Sequence, residues 1–409
     1  MGLRVAVVGG GLGGLCLAQG LRRGGVDVTV HERDAALGSR PQGYRLHVDA
    51  RAGLALERCL PPELFALFLA TCGSPGRRFT VVTERLRTLH EVGFDTATDP
   101  FAPATLATSA DRQTLREILA SGLEDRIRFG SELTRYEADG HGVRLHFADG
   151  RRAEADVLVG ADGVNSVVRR QYLPHARVVD SGSRCIYGRT PLDARTRDLV
   201  PAPLHEGFMA VVGGRVGMAS GLVRFRQRPE QAAAAIAPGA RLSPAGDYLM
   251  WAVAADESRF GVPAARLAAM DPTGLHTLAA AMIRSWHPDL RTLQALADVD
   301  RTFLVRIRAS EPTPAWQPSR VTVLGDAIHA MSPARGSGAN NALRDAAALC
   351  GALTEAEPHG PALAEAIGGY EDRMREYGYA AVAASRRAEA GMGARRGGPL
   401  FWLYRKLSR

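Results

Sequence analysis

Two different spacings of apolar residues follow one another at the start of the chain. A short apolar run spans residues 3–8, glycines follow it, and leucines then recur at helical spacing over residues 12–21. A second apolar run covers residues 26–31. A strand, a helix and a strand within about thirty residues are typical of a parallel βαβ unit. The pattern therefore predicts an α/β fold that begins with such a unit.

The pattern changes further along the chain. Helical spacing over residues 111–123 is followed by two stretches, 142–149 and 153–160, that alternate like strands joined by a turn. Beyond residue 180 the apolar runs become short and are separated by glycine and proline, which predicts a β-rich second domain. These runs cover residues 184–190, 207–212, 216–225 and 248–254. A last strand precedes Gly325, and helices are predicted over residues 340–353 and 361–391.

Length and composition favour two joined domains and a cytoplasmic protein. Hydrophobic residues make up 46% of the 409, enough for two cores. The net charge of +8 comes from interspersed basic and acidic residues, so nucleic-acid binding is not expected. The five scattered cysteines contain no CxxC pair and suggest neither disulfides nor a metal site. No apolar stretch reaches the roughly 18 residues of a membrane span, so no integral membrane segment is expected.

The glycine loop after the first strand has the spacing GxGxxG at Gly9, Gly11 and Gly14. Glycine there lets the chain turn sharply and lets a pyrophosphate approach the amides at the helix start. Glu32 ends the next strand, where an acid accepts hydrogen bonds from ribose hydroxyls. The unit predicts dinucleotide binding by Gly9, Gly11, Leu12, Gly13, Gly14 and Glu32. Arg33 is a further candidate, with an ordinary surface arginine as the alternative.

Two further acidic residues follow predicted buried strands. Asp162 lies in a Gly-Ala-Asp-Gly turn, and Asp326 follows Gly325. Both places are at the carboxyl edge of a parallel sheet, where ligands bind in α/β folds. A plain Asp-Gly turn is the alternative for Asp162. After Asp326, glycines let the backbone up to Asn340 lie against a flat ring.

Together these motifs resemble those of the single-component FAD-dependent aromatic monooxygenases, the family of p-hydroxybenzoate hydroxylase. That family combines GxGxxG, a central DG motif and a C-terminal GD-A-x-H-x-x-x-P-x-x-G-x-G-x-N-x4-D-A, and this chain has all three in that order. The resemblance covers nearly the whole chain. It departs at Ser337, where many members have glutamine.

The resemblance implies a non-covalently bound FAD. Glu32 would bind its adenosine ribose, residues 11–14 its pyrophosphate and Asp326 its ribityl chain, while Asp162 would support the cofactor and the reaction with the nicotinamide. Arg112 matches the family's arginine at a helix start near FAD. The remaining predicted contacts are Gly325, Pro333, Gly336, Gly338, Ala339 and Asn340.

The implied fold is a glutathione-reductase-type Rossmann FAD domain with an inserted, mostly antiparallel β-sheet substrate domain and C-terminal helices. The expected boundaries are 1–73, 98–179 and 300–355 for the FAD-binding domain, 74–97 and 180–299 for the substrate domain, and 356–409 for the C-terminal helical region. We expect a monomer or a homodimer.

The implied activity is a monooxygenase reaction. NAD(P)H reduces FAD, O2 adds to form a flavin C4a-hydroperoxide, and one oxygen atom hydroxylates an aromatic or polyketide-like small molecule. The positive start of the helix near Gly338 would favour the anionic reduced flavin. The sequence contains no second GxGxxG unit, so NAD(P)H would bind transiently at the FAD interface.

Few side chains are candidates for catalysis or substrate binding. His329 is a candidate acid or base, with a structural hydrogen-bonding role as the favoured alternative. Arg45 is a candidate contact for the flavin or a substrate phenolate, with an ordinary strand arginine as the alternative. Four residues are candidates for the substrate pocket, with core packing as the alternative for each: Met209, Met218, Phe225 and Trp251.

Other functions are consistent with the same motifs. An epoxidase or a Baeyer-Villiger-type oxygenase uses the same scaffold. A halogenase is disfavoured because it needs a lysine for the halogenating species, and the only lysine is Lys406 near the C-terminus. A non-catalytic flavin- or ligand-binding protein is the alternative from a different class.

Overall fold

The computed structural model describes residues 2–39, 44–94, 98–205, 207–357 and 360–392. Its strands are β1 Arg4–Val8, β2 Asp27–His31, β3 Arg45–Asp49, β4 Arg78–Thr83, β5 Thr88–Gly93, β6 Ala107–Asp111, β7 Ile127–Arg128, β8 Leu133–Ala138, β9 Val143–Phe147, β10 Arg152–Ala155, β11 Val157–Gly160, β12 Val178–Pro191, β13 Gly207–Gly213, β14 Val216–Val223, β15 Tyr248–Asp256, β16 Phe303–Ser310 and β17 Val321–Val323.

Its α-helices are α1 Leu12–Arg23, α2 Ala50–Cys59, α3 Pro62–Thr71, α4 Arg112–Ala120, α5 Val167–Tyr172, α6 Ala202–His205, α7 Pro229–Ile236, α8 Ala264–Ala268, α9 Pro272–Met282, α10 Pro288–Ala295, α11 Asp326–His329, α12 Gly338–Glu355 and α13 Pro361–Met392. Among these described helices, none combines the length and the hydrophobicity that crossing a membrane requires.

A five-stranded parallel sheet forms the centre of one half of the molecule. Its strand order is β17-β11-β1-β2-β7, and β1 pairs in parallel with both β2 and β11. Helices α1 and α12 belong to its hydrophobic core, and β10, β9 and β8 form a separate antiparallel sheet. Apart from Arg4 at the start of β1, the central strands β1 and β11 are apolar because both faces of the parallel sheet are covered. The predicted α/β fold and its opening βαβ unit are confirmed.

A seven-stranded sheet forms the second layer. Its order is β16-β12-β15-β14-β13-β4-β5, and every pairing is antiparallel except that of β13 with β4. One face packs against α8, α9 and α10 through Trp251, Leu275 and Leu290. The opposite face carries Tyr187 and Phe208. The prediction of a mostly antiparallel second sheet is confirmed.

A two-stranded ribbon of β3 and β6 lies between these layers. The strands pair antiparallel, with Arg45 opposite Asp111. Leu46 and Val48 pack into the core of the parallel-sheet half. Because side chains alternate along a strand, Arg45 and His47 share the other face. The ribbon therefore connects the core of the parallel-sheet half, called the cofactor half below, to the large sheet.

The structure differs from the predicted elements in two places. Residues 153–160 form two strands, because the Asp156 carboxylate accepts hydrogen bonds from the amide and the side chain of Arg4 and marks the point where the chain leaves β10 for β11. Strand β16 pairs with β12, so the large sheet extends past residue 299, the predicted boundary. The division into domains stays a prediction. Residues 393–409 of the expected C-terminal region lie outside the described residues.

Candidate active site

The glycine loop and Glu32 form a compact hydrogen-bonded unit at the end of β1. The Gly10 amide donates to Oε2 of Glu32 at 2.7 Å, and the Asp34 amide donates to Oε1 at 2.9 Å. Arg116 also donates to Oε2, at 3.3 Å, and its Nε donates to the Gly10 carbonyl. A carboxylate accepts about four hydrogen bonds, so Glu32 retains room for one from a ribose hydroxyl.

The glycines of the loop have different tasks. A Cβ on Gly9, whose φ is +110°, would lie 2.3 Å from the carbonyl oxygen of Ala161, so glycine lets the loop touch the DG segment. A Cβ on Gly13 would lie 2.7 Å from Leu324, so that glycine serves packing of α1. Gly11, before the first turn of α1, faces open space. Its amide environment is the place where a pyrophosphate fits.

Asp162 lies beside this loop and caps a short helix. Its Oδ2 accepts from the amides of Val167 and Val168, at 2.6 and 3.3 Å. Burial raises the pKa of this carboxyl. Its Oδ1 is buried and has no hydrogen-bond partner within the described part of the chain. The residue is therefore both a cap and an acceptor that a ligand hydroxyl can satisfy.

Asp326 lies on the floor of a cleft where α11 begins. Its side chain is accessible, yet protein surrounds it closely enough that loss of hydration raises the pKa of the carboxyl, against the opposing charges of His329 and Arg112. The carboxylate is 3.8 Å from the position of a Cβ on Gly338, at the start of α12. Nη1 of Arg112 is buried and unpaired among the described residues.

Asp345 fixes the loop that carries Asp326 through hydrogen bonds to neighbouring residues. Its Oδ2 accepts from the Gly325 amide at 2.7 Å and lies 2.6 Å from Nε2 of His329, while the Tyr377 hydroxyl donates to Oδ1 at 2.7 Å. Burial disfavours a charged His329, but the carboxylate outweighs it, and the pKa of His329 is raised. His329 is fully buried beneath Gly378 of α13. Its contacts are those of a residue that positions the loop.

The segment from Pro333 to Asn340 leads from this loop into α12. Gly336 has a left-handed backbone, with φ +60°. The Asn340 side chain donates to the carbonyls of Gly336 and His47 and accepts from the Asp49 amide. This side chain is therefore occupied in fastening the loop to β3. Pro333 is exposed and Ala339 half-buried, so a ring can lie against the backbone here.

These features fit FAD, the cofactor expected from the sequence. Open space at Gly11 suits the pyrophosphate, and Glu32 has capacity for a ribose. The unpaired atoms of Asp162 and Arg112 and the accessible carboxylate of Asp326 point to a polar ligand along the same sheet edge. Arg33 is exposed, and within the described residues no hydrogen bond or ion pair joins it to the glycine loop.

The face of the large sheet nearest this cleft is aromatic. Tyr187 and Phe303 stack at 5.5 Å, and Tyr44 lies 5.5 Å from Tyr187. The Arg112 guanidinium lies 5.7 Å from the Tyr44 ring, which links this face to the Asp326 cleft. Arg45 lies over Phe208 at 5.2 Å and donates to the Leu222 carbonyl at 3.4 Å.

Three of the four predicted substrate residues are placed elsewhere. Met209, Met218 and Trp251 lie in the core beneath α8–α10. The reason is strand alternation, because their neighbours Phe208, Ala219 and Met250 point to the opposite face. Phe225 lies on that opposite face, but it is buried in packing. The sequence did not show which face of each strand turns toward the cleft.

Sequence reasoning also missed three residues of this region. Arg116 follows Arg112 by one helical turn, and that spacing on α4 was the available signal. His47 follows Arg45 at the spacing that shares a strand face. Tyr44 precedes the same strand and gave no signal of its own.

Two family models match this chain. A model described as FAD binding domain matches residues 269–385, which include the Asp326 loop. A model described as NAD(P)-binding Rossmann-like domain matches residues 7–59, which include the glycine loop and Glu32. The first match confirms the expected FAD, and the second supports the expected nicotinamide co-substrate. Which residues touch the cofactor stays a prediction.

The chain is similar to known flavoenzymes over most of its length. It is 34% identical over 398 residues to the dual O-methyltransferase/FAD-dependent monooxygenase CTB3 of Cercospora beticola, covering 91% of this chain and 44% of that protein. The chloroplastic zeaxanthin epoxidase of Nicotiana plumbaginifolia is 29% identical over 361 residues, with 87% and 49% covered. The chain thus spans less than half the length of these relatives. A crystal structure from Photorhabdus luminescens, provisionally described as an FAD-containing monooxygenase, has a TM-score of 0.78 at 31% identity, with 94% of this chain and 97% of that chain covered.

Proposed function

This chain belongs to the family of single-component FAD-dependent monooxygenases, and on that premise we propose that it uses NAD(P)H and O2 to hydroxylate an aromatic or polyketide-like small molecule. The observation that carries the proposal is one series of neighbouring residues. It runs from Asp326 and Gly338 through Arg112 and Tyr44 to the aromatic face of the large sheet. A cofactor loop and an aromatic surface therefore border the same cleft.

Bound FAD would supply the transfer of electrons from NAD(P)H to O2 and the activation of oxygen. The chain's own residues would bind and orient. Arg112 and the amides at the start of α12 place positive charge beside the cleft, which favours negative charge on a bound ring. Tyr44, Tyr187 and Phe303 offer flat apolar surface that aligns an aromatic substrate and keeps water away from the reacting atoms.

We assign cofactor contacts to eleven of the residues that the sequence predicted for this role. They are Gly9, Gly11, Gly14, Glu32, Arg112, Asp162, Gly325, Asp326, Gly336, Gly338 and Asn340. Five buried free cysteines support a cytoplasmic location, where thiols stay reduced. Light scattering coupled to gel filtration distinguishes the two proposed assembly states, a monomer and a homodimer.

A screen of phenolic and polycyclic compounds against the FAD-loaded protein tests the proposed activity. The expected result is NAD(P)H oxidation stimulated by a compound whose product is heavier by one oxygen atom. A product with an epoxide in place of a hydroxyl would identify the second candidate, which the similarity to zeaxanthin epoxidase favours. Compounds that perturb the flavin spectrum without any NAD(P)H oxidation would contradict the proposal and indicate a binding protein.

A further inference from the structure

Arg45 and His47 lie side by side on the face of β3 that turns away from the core. Their neighbours Leu46 and Val48 pack into the core of the cofactor half, so the alternation of the strand leaves the two polar residues facing the large sheet and the cleft. Gly221 of that sheet leaves room for Arg45, since a Cβ there would lie 2.7 Å from its Cδ. Glycine at position 221 thus leaves the space that the Arg45 side chain occupies between β3 and the large sheet.

Arg45 is a partly buried cation. Burial lowers the pKa of its guanidinium to about 10, and the nearby Tyr248 phenol opposes that shift. Within the described residues no carboxylate lies at ion-pair distance. The Asp111 carboxylate across the ribbon instead accepts from the Tyr248 hydroxyl at 2.8 Å. A partly buried charge without a partner is costly, and an anionic ligand would offset that cost.

His47 extends from β3 toward the segment that precedes α12. A Cβ on Gly336 would lie 3.3 Å from the His47 Cβ, and the His47 carbonyl accepts from the Asn340 side chain. The imidazole is accessible, but burial and then the Arg45 charge lower the pKa of His47, with a smaller contribution from Arg51. Asp49 and a hydrogen bond with the Thr108 backbone oppose the shift. The imidazole is therefore neutral at neutral pH.

We infer that His47 accepts the proton from the hydroxyl of a phenol or enol substrate, and that Arg45 stabilises the resulting oxyanion. The inference rests on the proposed function and names the base and the anion-binding group of that site. One proton moves: the O–H bond breaks, its electron pair stays on the oxygen, and His47 becomes an imidazolium that releases the proton to solvent. The oxyanion pushes electron density into the ring, which makes the carbon that receives oxygen more nucleophilic.

The oxyanion site is tested with 4-nitrophenol, whose anion has its own absorption band, on the FAD-loaded protein at a pH where the free probe is largely neutral. The expected difference spectrum shows the phenolate. The acid dissociation constant of the bound probe should be at least tenfold larger than that of the free probe, which places the midpoint of ionisation at a lower pH. Arg45→Met should return the midpoint to that of the free probe, and Arg45→Lys should keep part of the shift. Arg215→Met, on an exposed residue, is the matched control. A probe bound in the neutral form, or not bound, overturns the assignment, as does an unchanged midpoint in Arg45→Met.

The base is tested with a phenol that stimulates NAD(P)H oxidation. Positioned general bases contribute roughly 10²–10⁴ in rate, so His47→Gln should lower kcat about a hundredfold at neutral pH. The loss should shrink as the pH approaches the phenol's own ionisation, because the substrate then arrives deprotonated. His175→Gln, on an exposed residue, is the control. An equal loss at every pH would mean a structural role and overturn the assignment.

The two sets of measurements separate the two proposals. If the protein ionises 4-nitrophenol but no phenol stimulates NAD(P)H oxidation, the monooxygenase proposal fails and the oxyanion site stands. If phenols are hydroxylated but 4-nitrophenol is bound neutral, the monooxygenase proposal stands and the roles of Arg45 and His47 are wrong. FAD content and melting temperature of each variant show that it folds and carries its cofactor.

Discussion

Glu32 does two things with one carboxylate. It fixes the glycine loop by accepting from Gly10 and Asp34, and it forms a buried ion pair with Arg116 that is only 7–8% exposed at either side chain. An acid that is already fixed by the loop needs no rearrangement to receive a ribose hydroxyl. Pre-organisation of this kind favours binding because little side-chain freedom remains to be lost.

Glu32→Ala should therefore weaken FAD binding more than it changes the enzyme that still holds FAD. Loss of charge-assisted hydrogen bonds costs on the order of 1.5–3 kcal/mol, about ten- to a hundredfold in affinity. Fluorescence titration of the apoprotein with FAD measures it. Glu32→Gln keeps an acceptor for the Gly10 amide but has no charge, so its FAD affinity should lie between those of the unchanged protein and Glu32→Ala. Unchanged FAD affinity in Glu32→Ala would remove Glu32 from the ribose site.

Asp326 differs from Glu32 because its carboxylate is accessible. It also stands at the start of a helix of only four residues, α11. Asp326→Ala should lower FAD occupancy and slow flavin reduction by NAD(P)H even when excess FAD restores saturation. Stopped-flow reduction at saturating FAD, paired with melting of the apoprotein, checks this result. If Asp326 only capped α11, the change would cost near 1 kcal/mol of stability. Normal reduction and normal FAD affinity with a lower apo melting temperature would then be observed.

At the scale of elements, the sequence was sufficient where a motif and a periodic run coincide. The strands that carry the glycine loop and the Asp326 loop, and the predicted helices α1 and α12, are strongly patterned, and all are present, whereas the four-residue α11 was not predicted. The ribbon of β3 and β6 was not predicted, because five residues paired with a segment sixty residues later leave little local signal. Its position nevertheless determines where Arg45 and His47 point. Local patterns specify elements, whereas the facing of a short strand depends on distant partners.

Helix α13 carries a buried acid that makes its packing sensitive to pH. Glu371 is 2% exposed, accepts from the Thr322 hydroxyl at 2.8 Å, and burial raises its pKa to about 7. Because the pKa in the folded state lies above the unfolded value, the folded protein holds the proton more tightly. Its contribution is most favourable below the unfolded pKa, and stability is lost as the pH rises from there through the folded value of about 7, on the order of 3 kcal/mol.

Glu371→Gln should therefore raise the melting temperature at about pH 8.5 and leave it nearly unchanged at about pH 5. Glutamine keeps an oxygen for Thr322 and has no charge to bury. Thermal unfolding across this range, followed by circular dichroism, is the measurement. Glu376→Gln, an exposed position on the same helix, should give the pH dependence of the unchanged protein. An identical pH dependence in Glu371→Gln would show that this acid does not titrate near neutral pH.

At the scale of the whole molecule, hydrogen bonds as well as packing join the two large layers. One of these contacts is the Tyr248–Asp111 bond. Tyr248, on β15, is fully buried, and Asp111 caps the start of α4, where its Oδ1 accepts from the Thr114 amide at 2.9 Å. Burial and the neighbouring Asp111 carboxylate raise the pKa of Tyr248, so its hydroxyl stays protonated and donates. The same helix carries Arg112 and Arg116, which face the cofactor site.

Tyr248→Phe should consequently lower both the stability of the protein and its affinity for FAD. Removing the hydroxyl leaves Oδ2 of Asp111 buried without this donor, at a cost of about 1–3 kcal/mol. We expect a lower melting temperature with and without FAD, together with a loss of FAD affinity smaller than that of Glu32→Ala, because α4 is loosened but its arginines remain. Tyr187→Phe, on the next strand of the same sheet, keeps the bond to Asp111 and should retain FAD affinity. If Tyr248→Phe melts like the unchanged protein and binds FAD equally well, the Tyr248–Asp111 bond does not couple the large sheet to the cofactor site.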